Sequence, residues 1–198
     1  MVVLGLAMVA FAVLHTWILC WKSWGLTVEW PIDISFFHNL VWNLSEGNGH
    51  TQSSSYHEPP GFFGETHFEP ILALAVPFYI VVPRLETLFA VQSALLALGA
   101  PAVYRLVKSG GGTSAGALAG AAVYLAWWPL WRMAMADIRP LTWSIPFLLL
   151  LAAALKRADL RKQGDDLRLA GHRALISSAV EAVRLSTNLA RRAAHLKA

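Results

Sequence analysis

One cysteine, Cys20, among 198 residues excludes an intrachain disulfide, and no grouping of Cys with His has the spacing of a structural zinc site. Charge is scarce as well: Asp, Glu, Lys and Arg make up 14% of the chain, against ~25% in a soluble domain. The formal charge of +4 does not describe a nucleic-acid surface, because residues 156–198 hold ten Lys or Arg against four Asp or Glu and the remainder sums to −2. Also missing is the alternation of apolar and polar residues that marks half-buried strands.

What the chain has instead is apolar residues, 56% of the total, with a mean hydropathy of +0.49. They lie in long uninterrupted runs, which excludes a soluble single-core protein. Runs long enough to cross a bilayer, about 17–25 residues, fall at about 1–21, 86–107, 113–131 and 141–156. The first has no charged region before it and no small-x-small cleavage site before Trp17, so it is expected to be a retained span rather than a secretory signal. A fifth run, Pro70 to Pro83, contains Pro77 and as a helix would reach only ~21 Å, so it reads as an interfacial or re-entrant segment.

These lengths predict an all-α polytopic membrane protein with about four transmembrane helices and an outer loop of interfacial or re-entrant helices over 22–85. Residues 1–157 form the transmembrane domain, and 158–198 a cytoplasmic basic amphipathic tail helix. In the tail, Ile176, Val180, Val183 and Thr187 share one helical stripe, with Arg168, Arg173, Arg184, Arg191 and Arg192 elsewhere, as in a helix lying on anionic lipid or on a partner.

Lysine and arginine placement orients the spans. Arg105 and Lys108 share one loop, and Lys156, Arg157, Arg161 and Lys162 follow the last span, so both termini are expected in the cytoplasm, with the protein in the inner (cytoplasmic) membrane. Trp17, Trp21, Trp24, Trp127, Trp128, Trp131 and Trp143 then lie on or near the outer face, as membrane-interface residues. Gly112, Gly116 and Gly120 recur at every fourth position, a small-residue face for close helix packing within this chain or against another.

The outer loops carry the candidate chemistry. Ile34, Phe37, Val41 and Leu44 recur at helical spacing, which reads as an amphipathic helix on the membrane with Asp33 either as its N-cap or in a functional role. Asn43-Leu44-Ser45 matches a glycosylation sequon by chance. Residues 48–64 read as loop, and His67 follows between Glu65 and Glu69. With Asp33, His38, His50 and His57, His67 offers a face able to bind a divalent cation or move a proton, though no spacing is diagnostic and no metal site is assigned. The second loop, residues 132–140, places Asp137 beside Arg139, an ion pair or half of a polar pocket shared with Asp33 and His67.

The order of the elements Asp33 with residues 36–44, His67-Phe68-Glu69-Pro70, Pro77-Phe78-Tyr79, Gln92 and residues 101–106 resembles a bacterial family of predicted membrane proteins of unknown function, related to the GT-C glycosyltransferases. The resemblance covers about residues 30–155. It implies a multispanning fold in which Asp33 and Asp137 match two loop acids that bind a lipid-linked sugar. An acid would deprotonate the acceptor and a divalent cation would neutralise the phosphate leaving group.

Two departures point away from catalysis. After Asp137 the chain has Ile138-Arg139-Pro140, without the aromatic, His and acid of the family pattern, and four spans are fewer than a GT-C-like fold carries. The expected function is therefore a non-catalytic accessory or scaffold subunit of a larger membrane complex, derived from a truncated GT-C-like fold and needing no cofactor. Its partners would be membrane lipids and other integral membrane subunits, with no nucleic acid. The alternative is a glycosyltransferase using a polyprenyl-phosphate-linked sugar and a divalent cation, with Asp33, Asp137 and His67 catalytic. A small transporter is a weaker third reading, since no span is expected to carry a buried acid or base beyond His15.

Overall fold

The computed structural model describes residues 2–25, 27, 31–49, 51–52, 61–62 and 69–195. It is helical throughout, apart from a two-residue antiparallel pair, Thr51–Gln52 with Gly61–Phe62, within the stretch expected to be loop. The described residues form eight α-helices, in chain order α1 Val2–Trp24, α2 Pro31–Ser45, α3 Val76–Val81, α4 Leu85–Ala97, α5 Gly99–Ser109, α6 Ser114–Ala126, α7 Trp128–Met135 and α8 Ile145–His195. Met1–Ala154 forms one compact unit and Leu155–Ala198 a second. The second unit continues as helix to His195, with Arg168 and Arg173 exposed; the expected stripe Ile176, Val180, Val183 and Thr187, with Arg184, Arg191 and Arg192, falls outside the described side chains.

Among the described residues, three helices are long and apolar enough to cross a membrane: Val2–Trp24, Leu85–Ser109 and Pro140–Arg173. The run expected at 113–131 is instead two helices, α6 and α7, separated at the extended residue Trp127. Pro129 explains the break. It lacks the N–H that would reach the Leu125 carbonyl, and the Trp131 indole N–H donates to that oxygen instead, at 2.6 Å. At 1.5 Å per residue the two helices reach ~20 Å and ~12 Å, together about the ~30 Å hydrocarbon core.

Contacts fix the direction of each segment. Trp24 lies against Glu86 near the start of α4, so α1 and α4 are antiparallel. Tyr124 reaches Leu96, and Gly120 lies beside Val107 and Val103, so α6 runs back along α5. Trp131 packs on Phe11 and His15, and Lys22 reaches Met135, so α7 rises alongside α1. The Trp127 break consequently sits beside the middle of α1 rather than beyond its end.

Two 3-10 segments, Pro70–Ala75 and Pro140–Ser144, solve the same backbone problem at that end of the bundle. Each leads into a helix whose second residue is proline, Pro77 or Pro146. In α geometry those prolines would leave the Ala73 and Thr142 carbonyls without donors; the backbone N–H of Val76 and of Ile145 bonds them instead.

Residues Pro70–Val81 form a short apolar helical stretch, packed through Leu72, Ala75 and Tyr79. The α2 stripe of Ile34, Phe37, Val41 and Leu44 is spent on this protein core rather than on lipid. Asp33 lies in the first turn of α2, which begins at Pro31, and so is not its N-cap. Asn43 is buried, its amide donating to Asn39 Oδ1 and the Thr51 carbonyl, so it is not presented as a glycosylation acceptor.

The glycines divide differently from the expected stripe. Gly112 precedes α6, in a turn closed by Gly111 at φ +85°. A methyl at Gly120 would meet Val107 Cγ2 at 3.3 Å, whereas one at Gly116 would meet only the Thr113 hydroxyl that caps its own helix. The closest approach is at Gly99, which the sequence stripe misses: a methyl there would overlap the Tyr124 hydroxyl and ring, and that hydroxyl donates to the Leu96 carbonyl. Pro101 removes one helical donor just beyond, and α4 and α5 meet at Leu98.

Gly99→Ala is expected to destabilise the protein by about 1–3 kcal/mol through overpacking against Tyr124. Gly116→Ala should leave thermal unfolding in detergent unchanged or raise it slightly. Equal effects of the two substitutions would refute this assignment of the contact.

Candidate functional site

The polar residues gather at the end of the bundle where α1 finishes and α4 begins. Gln92 is the one amide side chain of α4 and has no solvent exposure. Its Nε2 donates to the Asp137 carbonyl at 3.2 Å, and its Oε1 accepts from the Arg139 backbone N–H at 2.9 Å and the Trp143 indole N–H at 3.1 Å. One side chain thus fastens the whole 137–143 turn to α4. Lys22 adds a second tie, donating to the Met135 carbonyl at 2.8 Å and so neutralising the C-terminal end of α7.

Asp137 is fully buried between Gln92 and the apolar cluster containing Ile138, Trp143, Leu88 and Phe89. Arg139 Nη2 stands 3.9 Å from its Oδ2, and the arginine side chain is 41% exposed. The charge a solute meets here is Arg139, with Asp137 behind it as counter-ion. Such a pair can hold an anion at the surface; it does not offer Asp137 itself to an acceptor hydroxyl.

A second polar contact joins α2 to α3: the Tyr79 hydroxyl and His38 Nε2 are 2.8 Å apart, with the rings edge-on at 5.5 Å. Burial pushes the His38 pKa below its ordinary value, opposed by the nearby negative charge of Glu86. Glu86 accepts from the Trp24 indole N–H at 3.2 Å, tying the last turn of α1 to the first turn of α4.

The expected site residues are only partly assembled. Asp33 is half-buried on α2; its neighbour Ile34 and Ile138, the neighbour of Asp137, belong to the same buried apolar cluster. His67, His50 and His57 lie outside the described residues. Among the described residues, no three His, Cys, Asp or Glu side chains converge as metal ligands.

The tryptophans separate too. Trp17, Trp21, Trp24, Trp127 and Trp128 are exposed, Trp131 is half-buried on His15, and Trp143 is wholly enclosed by protein and bonded to Gln92. His38 is one of the histidines of the expected polar face, whereas charge and spacing single out neither Gln92 nor Tyr79, which enter only through the resemblance. For Gln92 the one available signal is an amide isolated in an apolar run, since a buried amide in a span requires partners.

His15 is fully buried in mid-helix, its Nδ1 donating to the Phe11 carbonyl at 2.7 Å and its ring lying on Phe11 and Trp131. Among the described residues its Nε2 has no hydrogen-bond partner.

Apolar segments crossing in alternating directions, two of them bent or broken at prolines and tied at one end by buried amide and lysine contacts, define a polytopic α-helical membrane protein. The chain belongs to the DUF2079 family of predicted membrane proteins, whose sequence model matches residues 31–163. Comparison with curated proteins and with solved structures found no match.

Two outcomes follow. Gln92→Leu should cost roughly 3 kcal/mol, because three buried groups of the 137–143 turn lose their partner, and chemical denaturation in detergent would show it; a change within ~0.5 kcal/mol, as for an ordinary surface site, would contradict the tie. For His38, a folded pKa below the unfolded 6.5 means that its share of stability is complete above 6.5 and is lost as pH falls toward the folded value. Wild type should therefore lose more stability than His38→Gln between about pH 7 and pH 5. Parallel pH curves for the two proteins would count against it.

Proposed function

We propose that this protein is a non-catalytic accessory or scaffold subunit of a larger membrane complex. The observation that carries the reading is the burial of Asp137: its carboxylate has no exposure and stands behind Arg139, and Gln92 pins its backbone. A general base must come within ~3 Å of the proton it takes, and an enclosed carboxylate does not meet that demand. The polar end serves to hold α4, α7 and the start of α8 in register.

The outer surface supports the same reading. On α6 the exposed residues Ala115, Gly116, Ala119 and Ala122 leave backbone open to close approach, and among the described residues only the Thr113 hydroxyl stands over Gly116. Small residues on a span are where van der Waals packing between transmembrane helices is strongest. Partners of this kind are other integral membrane subunits and surrounding lipid, with no cofactor. The Lys and Arg positions favour the inner membrane with both termini in the cytoplasm.

The glycosyltransferase reading retains one supporting observation: Ile34 beside Asp33 and Ile138 beside Asp137 belong to one buried apolar cluster. It requires Asp33, Asp137 and His67 to converge on a polyprenyl-phosphate-linked sugar with a divalent cation.

Purification from native membranes in mild detergent separates the two. An accessory subunit elutes within a larger assembly, and Gly116→Leu releases it while the released chain stays folded. A monomer that transfers sugar from a polyprenyl-phosphate donor, and loses that transfer on Asp33→Asn, would replace the subunit reading with the enzyme.

A further inference from the structure

Beside α4 runs an open groove of about 810 Å³, walled by α3, α4 and the first turn of α8, with Thr16 of α1 at its floor. Its walls are apolar: Phe78, Val81, Ala90, Ala94, Leu98 and Phe147 line it, and most of these are exposed to the surroundings of the bundle. The polar lining residues other than Thr16, Glu86 and Thr87, sit together at the N-terminal end of α4. From Glu86 to Leu98 the groove follows α4 for ~18 Å at 1.5 Å per residue, close to one leaflet of a ~30 Å hydrocarbon core. Its volume falls in the ~300–1,000 Å³ range of ligand pockets.

We propose that this groove holds one acyl chain of a membrane phospholipid whose headgroup carries a primary amine. The chemistry at the mouth selects the headgroup. Glu86 is half-buried, with Oε1 held by the Trp24 indole N–H, so a carboxylate is fixed at the membrane boundary to receive an ammonium group. Two residues earlier Arg84 is exposed, and no side chain caps the first turn of α4. A cation and free helix N–H groups together favour the phosphate that such a lipid carries next to its amine. An anionic headgroup without an amine would place a second negative charge or a neutral hydroxyl against Glu86, and a quaternary ammonium would offer it no N–H donor.

This inference is independent of the subunit reading, because a lipid in the groove neither requires nor forbids a protein partner.

The test is native mass spectrometry of the full-length protein, released from detergent after incubation with dioleoyl phosphatidylethanolamine, phosphatidylcholine or phosphatidylglycerol. The amine lipid should be retained ~10-fold more tightly than phosphatidylglycerol, the ratio expected for one charge-assisted hydrogen bond. Glu86→Gln should abolish that preference while leaving chain binding. Ala94→Trp, which fills the groove, should remove the tightest-bound lipid of every class; Ala90→Phe tests the same point from the next turn of α4. Equal retention of the three lipids, preferential retention of an added polyprenyl phosphate, or undiminished binding in both groove-filling variants would overturn the proposal.

Discussion

A backbone carbonyl without a donor is costly wherever water is absent, several kcal/mol in hydrocarbon, and the placement of prolines in this chain makes that the governing constraint. Pro77, Pro129 and Pro146 each withhold the N–H that a continuous helix would supply four residues back. The structure answers in two ways. At Pro77 and Pro146 the preceding turn tightens to 3-10 geometry, so that Val76 and Ile145 donate to the stranded carbonyls. At Pro129 the helix separates, and a side chain, the Trp131 indole, makes the missing bond. Trp131 is thereby fixed against Phe11 and His15, so a local backbone requirement sets how α7 docks on α1.

The same principle shapes the polar end of the bundle. A turn crowded under apolar side chains, as 136–139 is, carries amide groups that no regular element satisfies, and Gln92 supplies both donor and acceptor for them. An amide does this better than a charged side chain would, because it bonds in both senses without the desolvation penalty of an ion. Lys22 bonds a helix C-terminus, where its charge meets the negative end of the dipole. Gln92 and Lys22 thus act as fasteners of the backbone at this end, and the exposed charge of the Asp137–Arg139 pair is Arg139.

Much of this architecture is legible from run lengths. The first two long spans, the short Pro70 stretch and the apolar stripe of α2 all follow from counting apolar residues at 1.5 Å per residue, because length against bilayer thickness is a strong constraint. What escapes counting is whatever depends on a distant partner. The stripe Gly112, Gly116 and Gly120 has regular spacing, yet of the three only Gly112 leaves no room for a methyl, against Val107, and the tightest site, Gly99, is singled out by Tyr124 from another helix. Trp143 has the composition of an interface residue but is buried because Gln92, far away in sequence, receives its N–H. The break at Trp127 lies in an apolar run that hydropathy treats as continuous, and Pro129 is the local sign of it.

The two core clusters show why the break is tolerated where it falls. Around the α6–α7 junction the buried residues include Ala97, Ala100, Ala121 and Ala134, small side chains that let helices approach closely and hold a discontinuity by backbone proximity. Toward the end where α1 finishes, the second cluster uses Leu40, Leu72, Leu88, Phe89 and Trp143, large side chains contributed by α2, α4 and the two 3-10 segments. The difference follows what each cluster joins: helix packed on helix in the first, short helices and turns packed on helix ends in the second. The polar ties lie beside the second cluster because there the backbone leaves regular helix and has bonds to place.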